Sequence, residues 1–224
     1  FMKTQTEILD EIYNQTIDGM KPSVVTLTQE ALNSGLEAQM ILIESLIPAL
    51  EEVGRLFESG EYFVPEMLVS AKAMKGSMEI LNPLIAKTGA KPLGTFLMGT
   101  VEGDIHDIGK NLCNIMLESG GFSVIDIGVN VPPVKFVEAI EEHQPEAVGL
   151  SAFLTTTMPK CITTIEAIEK AGLRNQVKIF LGGAPMTQKY ADEVGADGYA
   201  PNGSILVRRL KETFNLEDFS KKVV

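Results

Sequence analysis

Apolar residues in the first part of the chain, residues 3 to about 88, recur three or four positions apart. This spacing places them on one face of an α-helix. Four such runs are separated by short breaks at residues 19–22, 33–35 and 58–61. Each break contains a glycine, which is typical of helix ends. Four helices with short connections predict an antiparallel bundle.

After residue 92 the pattern changes to short apolar runs that alternate with helical runs. The predicted strands cover residues 93–101, 123–128, 147–153, 177–182 and 197–200. The predicted helices cover residues 107–120, 133–143, 158–171, 186–194 and 203–213. Strict alternation with nearly continuous apolar strands predicts a parallel sheet that is covered on both faces. We therefore expect an α/β fold here, a flavodoxin-like (Rossmann-like), doubly wound sheet of five parallel strands.

A polar segment with glycine and proline, Lys87–Pro92, lies where the pattern changes. Such composition is typical of a linker. We therefore predict two domains, a helical domain over residues 1–90 and an α/β domain over residues 91–224. The linker would let the domains move relative to each other.

The composition disfavours several classes of partner. The net charge of −11 argues against nucleic acids and anionic membrane surfaces. The chain has no apolar run that could span a bilayer and no signal-peptide pattern at its start. Its two cysteines, Cys113 and Cys161, are 48 positions apart inside helical patterns, which suggests neither a disulfide framework nor a zinc site. We expect a cytoplasmic protein.

The candidate chemistry centres on the segment Gly103–Lys110, which joins the first predicted strand to the next helix. It contains His106, one of two histidines in the chain, between Asp104 and Asp107. Loops at the carboxyl ends of parallel strands usually bind the ligand of such a sheet. His106 therefore has two interpretations: a loop residue that caps the helix or bonds to Asp104, or a metal ligand that a carboxylate orients.

Two other interpretations of this segment fail on chemistry. A phosphate-binding loop needs four residues between its glycines and a Ser or Thr after the lysine, whereas this segment has five residues and Asn111. A metal phosphohydrolase needs several more histidines. Only His143 remains, and its acidic helical surroundings predict a solvent-exposed residue.

The same edge of the sheet offers small residues and hydroxyl groups. Glycines are expected at or near the strand ends, where they would let a large group approach the backbone: Gly109, Gly149, Gly182 and Gly183. Hydroxyls follow the third strand in the segment 151–157. Together these features indicate a deep slot for a long polar ligand.

The spacing of these residues resembles the cobalamin-binding signature of methionine synthase and of the corrinoid proteins of methyltransferase systems. The matching pattern is Asp104-x-His106-x-x-Gly109, then 41 residues, Ser151-x-Phe153, then 28 residues, and Gly182-Gly183. The helical half resembles the cap module of the same proteins through residues 53–57 and 60–66. Phe153 departs from the usual leucine, and we expect it to alter packing around the nucleotide tail and not ligation.

The resemblance implies that cobalamin binds base-off/His-on, with its dimethylbenzimidazole tail buried and His106 as the lower axial ligand of cobalt. Asp104 would accept a hydrogen bond from the other ring nitrogen, and Thr157 would complete this relay. The further cofactor-binding residues implied for the α/β domain are Gly103, Ile105, Asp107, Gly109, Ser151, Phe153, Thr155, Gly182, Gly183 and Gly203. The residues implied to cap the upper cobalt face, which could otherwise be bundle core, are Phe57, Phe63 and Val64.

The resemblance also implies a methyl carrier whose cobalt cycles between Co(I) and methyl-Co(III). Its partners would be a donor-specific methyltransferase, an acceptor methyltransferase that uses tetrahydrofolate or a thiol, and a reductive activase. Methanol, methylamines, glycine betaine and aromatic methyl ethers all remain open as donors. The alternatives are a cobalamin-binding sensor or regulatory domain, a mutase cobalamin subunit, and an unliganded interaction domain.

Overall fold

The first helix begins at a capping box. Thr4 accepts a hydrogen bond from the backbone N–H of Glu7, and the Glu7 carboxylate accepts one from the backbone N–H of Thr4, so two donors at the helix start are satisfied. The structure, a computed structural model, describes residues 3–87 and 92–216. The helices in the first range are α1 (Gln5–Ile17), α2 (Lys21–Asn33), α3 (Ala38–Ile41), α4 (Ile47–Glu58) and α5 (Val64–Lys87).

A π-helical turn, Leu42–Leu46, joins α3 to α4 inside what the sequence predicts as one helix. Pro48 lies in the first turn of α4. Its ring and missing N–H are incompatible with a regular α-helical bond to the carbonyl four residues earlier, at Glu44. The wider turn contains Glu44 and absorbs this conflict. Helix α1 contacts α2 and α4, and both of these contact α5, which confirms the predicted helical N-terminal part.

The second described range forms a parallel sheet with the strand order β2-β1-β3-β4-β5. Consecutive residues of β1, Phe96, Leu97 and Met98, are all buried. Because successive side chains point to opposite faces, both faces of the sheet are covered, as the apolar pattern predicts. The strands are β1 (Thr95–Thr100), β2 (Ser123–Asp126), β3 (Ala147–Ser151), β4 (Lys178–Gly182) and β5 (Gly198–Tyr199). The helices are α6 (Ile108–Ser119), α7 (Pro133–His143), α8 (Pro159–Lys170), α9 (Gln188–Glu193) and α10 (Gly203–Thr213).

The chain divides into two compact units, one containing α1–α5 and one containing the sheet. The middle of the predicted linker, residues 88–91, lies outside the described residues, and the domain limits 1–90 and 91–224 stay a prediction. Within the described ranges, none of the helices has the length and apolar composition that crossing a membrane requires.

Candidate functional site

The loop after β1 is held in place by its neighbours. Gly103 has a φ of +82°, which favours glycine, and its N–H donates to the Asn130 side-chain oxygen at 2.7 Å. The Asn130 N–H donates to the backbone oxygen of Asp104 at 2.8 Å. At the end of β1, the Thr100 hydroxyl donates to the backbone oxygen of His106 at 3.1 Å. The loop is therefore fixed on both sides of His106.

Asp104 orients His106 through one carboxylate oxygen and binds the next loop through the other. Its Oδ1 lies 2.7 Å from Nδ1 of His106 and also accepts the His106 backbone N–H at 3.0 Å. Its Oδ2 accepts the Thr157 hydroxyl at 2.7 Å, the Phe153 N–H at 2.7 Å and the Leu154 N–H at 3.3 Å. The Asp104 side chain is fully buried, so these donors replace its lost hydration.

The charge of Asp104 determines which ring nitrogen of His106 carries hydrogen. Burial alone would raise the pKa of Asp104, but hydrogen bonds from Thr157, His106 and the Phe153 N–H outweigh it and hold the pKa well below its usual range. The ionised carboxylate can only accept hydrogen bonds, so Nδ1 of His106 must donate. In a neutral imidazole this leaves the lone pair on Nε2. The side chain is 45% exposed, and this arrangement suits a metal ligand.

Large apolar side chains near His106 are exposed to solvent. We call this group the apolar rim. Its members, from 41% to 73% exposed, are Ile105, Ile108, Phe153 and Leu154. The Phe153 ring stacks on the His106 imidazole, with a centroid separation of 4.4 Å and an interplanar angle of 28°. Exposed apolar groups around a polar centre are typical of a ligand-binding surface.

The glycines of the sequence signature have different surroundings. A Cβ at Gly183, where φ is +120°, would lie 1.9 Å from the backbone oxygen of Ala152, so only glycine fits there. A Cβ at Gly203 would lie 2.9 Å from the Met116 side chain, so this glycine allows close packing of α10. Gly109 has no atom within 4 Å of its Cβ position, which leaves open space beside it.

The structure corrects one expectation. Gly149 lies in the middle of β3, and its Cβ position is 2.6 Å from Sδ of Met98 and 2.7 Å from the Phe96 ring. Protein side chains fill this space, so the expectation that Gly149 admits a ligand is wrong. The Phe153 ring also lies against the imidazole of His106, and the expected effect of Phe153 on the packing of a nucleotide tail stays a prediction.

The remaining predicted residues lie at the sheet edge or in the helical unit. Ser151 ends β3 opposite Gly182 in the register, and Thr155 is exposed in the turn before α8. In the helical unit, Phe57 and Val64 are half-buried. Phe63 is 65% exposed, so it is not part of the bundle core.

Sequence reasoning missed two buried or strained groups close to the loop in the sequence or in space. Asn130 has a φ of 53°, which Asn tolerates better than most residues. The nearby Gly128 and Pro132 indicate a turn but not the contact of Asn130 with the loop. Lys110 has a side chain that is 2% exposed and pairs with Asp126, whose carboxylate also accepts the Asn114 amide at 2.8 Å. This burial could not be predicted from the sequence, because a lysine in the first turn of an amphipathic helix is usually exposed to solvent.

Comparison with known proteins gives full-length matches. The B12 binding domain family matches residues 94–207, and a second family of the same description matches residues 8–82. The dimethylamine corrinoid protein 1 of Methanosarcina acetivorans is 41% identical over 210 residues, 93% of this chain and 98% of that protein. The trimethylamine corrinoid protein of Methanosarcina barkeri is 37% identical over 217 residues, 96% of this chain and 100% of that protein. In the crystal structure of the methanol:cobalamin methyltransferase complex MtaBC from Methanosarcina barkeri, one chain matches with a TM-score of 0.82 and 25% identity, over 95% of this chain and 81% of that chain.

These matches and the fold identify a cobalamin-binding protein. More narrowly, the chain belongs to the family of B12-binding corrinoid proteins. The resemblance seen in the sequence motif is thereby confirmed, as is cobalamin as the cofactor.

Proposed function

We propose that this protein holds cobalamin base-off with His106 as the lower axial ligand and carries a methyl group between two methyltransferases. The observation that carries this proposal is the hydrogen-bonded series from Thr157 through Asp104 to His106, which leaves Nε2 for a metal. Bound cobalamin would supply a cobalt ion that accepts a methyl group from one substrate and gives it to another.

The protein's own groups have distinct tasks in this proposal. Asp104 fixes the imidazole by accepting a hydrogen bond from Nδ1, and this raises the basicity of Nε2. A proton can be gained or lost along the series Nδ1, Asp104 and Thr157, which would couple ligation by His106 to protonation. The apolar rim would exclude water from the ligand. Phe57, Phe63 and Val64 are proposed to cap the upper face of cobalamin.

The relatives support a choice of donor-side partner. Two full-length relatives are named for dimethylamine and trimethylamine, so we propose a methylamine methyltransferase as the donor-side enzyme. The acceptor enzyme would methylate tetrahydrofolate or a thiol, and a reductive activase would restore oxidised cobalt. Both cysteines are free thiols, which suits the reducing cytoplasm that we propose as the location.

The test is the absorption spectrum of protein reconstituted with hydroxocobalamin, compared between wild type, His106→Ala and His143→Ala. His143 is the matched control because it is the other histidine and is exposed on α7. We expect a histidine-ligated, base-off spectrum in wild type and His143→Ala, and a clear change in His106→Ala. An unchanged spectrum in His106→Ala, or a wild type that does not bind cobalamin, would refute the assignment.

A further inference from the structure

Phe153 contacts both members of the His106–Asp104 pair. Its ring stacks on the imidazole of His106 at 4.4 Å. Its backbone N–H donates to Oδ2 of Asp104 at 2.7 Å. Phe153 therefore restrains both the face of the His106 imidazole and the Asp104 carboxylate that binds the edge of this ring.

We propose that Phe153 is a positioning residue, which fixes the plane of the His106 imidazole before cobalamin binds. This proposal rests on the proposed function, in which His106 ligates cobalt. It assigns Phe153 a role in ligation, whereas the sequence suggested a role in packing around the nucleotide tail.

The geometry explains why a ring is needed. The hydrogen bond from Nδ1 to Asp104 holds one edge of the imidazole. A single hydrogen bond still allows the ring to tilt about the axis of that bond. A flat aromatic side chain against the ring face blocks this tilt, and offset stacking is favourable between aromatic rings. A leucine has no flat face, so it would leave the imidazole less ordered.

Ordering the ligand in advance affects how tightly the cofactor binds. A side chain that is mobile in the free protein loses conformational entropy when the cofactor binds. This typically lowers the affinity by about two- to tenfold relative to a side chain that is already ordered. Phe153 is 49% exposed, so its ring contributes little to the core. Its replacement should therefore change ligation and leave unfolding nearly unchanged.

The experiment is a double-mutant cycle on cobalamin affinity, with Phe153→Leu made in wild type and in His106→Ala. We expect Phe153→Leu to weaken binding by about two- to tenfold in wild type and to have no effect in His106→Ala, because no imidazole is left to position. Phe153→Tyr keeps a stacking ring and should retain wild-type affinity. Ile162→Ala, which removes an exposed apolar side chain on α8, is the matched control and should also bind normally.

A second measurement does not depend on the cofactor. In cobalamin-free protein, ¹³C relaxation of the His106 ring should show a lower order parameter in Phe153→Leu than in wild type or Phe153→Tyr. An unchanged order parameter, or equal losses of affinity in both backgrounds of the cycle, would overturn the positioning role.

The outcomes separate this proposal from the proposed function. If His106→Ala changes neither affinity nor spectrum, His106 is not the ligand and both proposals fail. If His106→Ala changes both but Phe153→Leu acts independently of it, only the role of Phe153 fails. A direct contact of Phe153 with the cofactor would give this second result.

Discussion

Asp104 is a buried carboxylate that accepts hydrogen bonds from backbone N–H groups, a hydroxyl and an imidazole. In Asp104→Asn, an amide NH₂ would replace one acceptor and leave buried donors unpaired. Each unpaired buried group costs about 1–3 kcal/mol. We therefore expect the free energy of unfolding of cobalamin-free protein at pH 7 to fall by roughly 2–4 kcal/mol, measured by urea denaturation.

The pH dependence of this loss has a definite sign. Folding lowers the pKa of Asp104, so its contribution is complete above the unfolded value of about 3.9 and declines as the pH falls towards the lower folded value. The difference in the free energy of unfolding between wild type and Asp104→Asn should therefore become smaller below about pH 4. Asp107→Asn is the control, because Asp107 is exposed in the same loop and should matter little. If this difference in the free energy of unfolding stayed constant down to about pH 3, the proposal that Asp104 is ionised and hydrogen-bonded in the folded protein would be wrong.

At the scale of elements, apolar periodicity predicted the position of every strand and helix in the described part of the α/β unit, with ends within about three residues. It did not predict the π-helical turn before Pro48, because a proline conflict can be absorbed in several ways. Nor could it distinguish Gly149, filled by Phe96 and Met98, from glycines that leave open space. That distinction depends on side chains from other strands, which no local pattern contains.

Two glycines of the signature should respond oppositely to substitution. Gly183→Ala places a Cβ against the Ala152 backbone oxygen at a positive φ, and we expect it to lower the free energy of unfolding by about 3 kcal/mol or more. Gly109→Ala lies in open space within α6 and should raise stability by up to about 1 kcal/mol.

Urea denaturation of cobalamin-free protein measures both changes, and cobalamin titration then tests the space beside Gly109. If that space receives the ligand, the larger side chain of Gly109→Leu should weaken binding in a protein that is still stably folded. Normal cobalamin binding by Gly109→Leu would remove Gly109 from the proposed site.

At the scale of the whole molecule, the proposed carrier function assigns a task to each compact unit. The α/β unit supplies one candidate ligand, His106, and the apolar rim, and we propose that these groups face one side of the planar cofactor. A carrier must also protect the opposite, reactive face while no partner is bound. The helical unit presents an exposed aromatic side chain, Phe63, directly before α5, and we propose this task for it on the basis of the family resemblance.

Phe63→Ala tests this assignment. Light breaks the cobalt–carbon bond of methylcobalamin, and a close cap lets the fragments recombine before they separate. We expect Phe63→Ala to increase the photolysis rate of bound methylcobalamin severalfold while leaving unfolding unchanged, since the ring is 65% exposed. Val69→Ala, which truncates an exposed apolar side chain in α5, should photolyse at the wild-type rate. Equal rates in Phe63→Ala and wild type would exclude Phe63 from the cap, and protection of the reactive face would then require other residues.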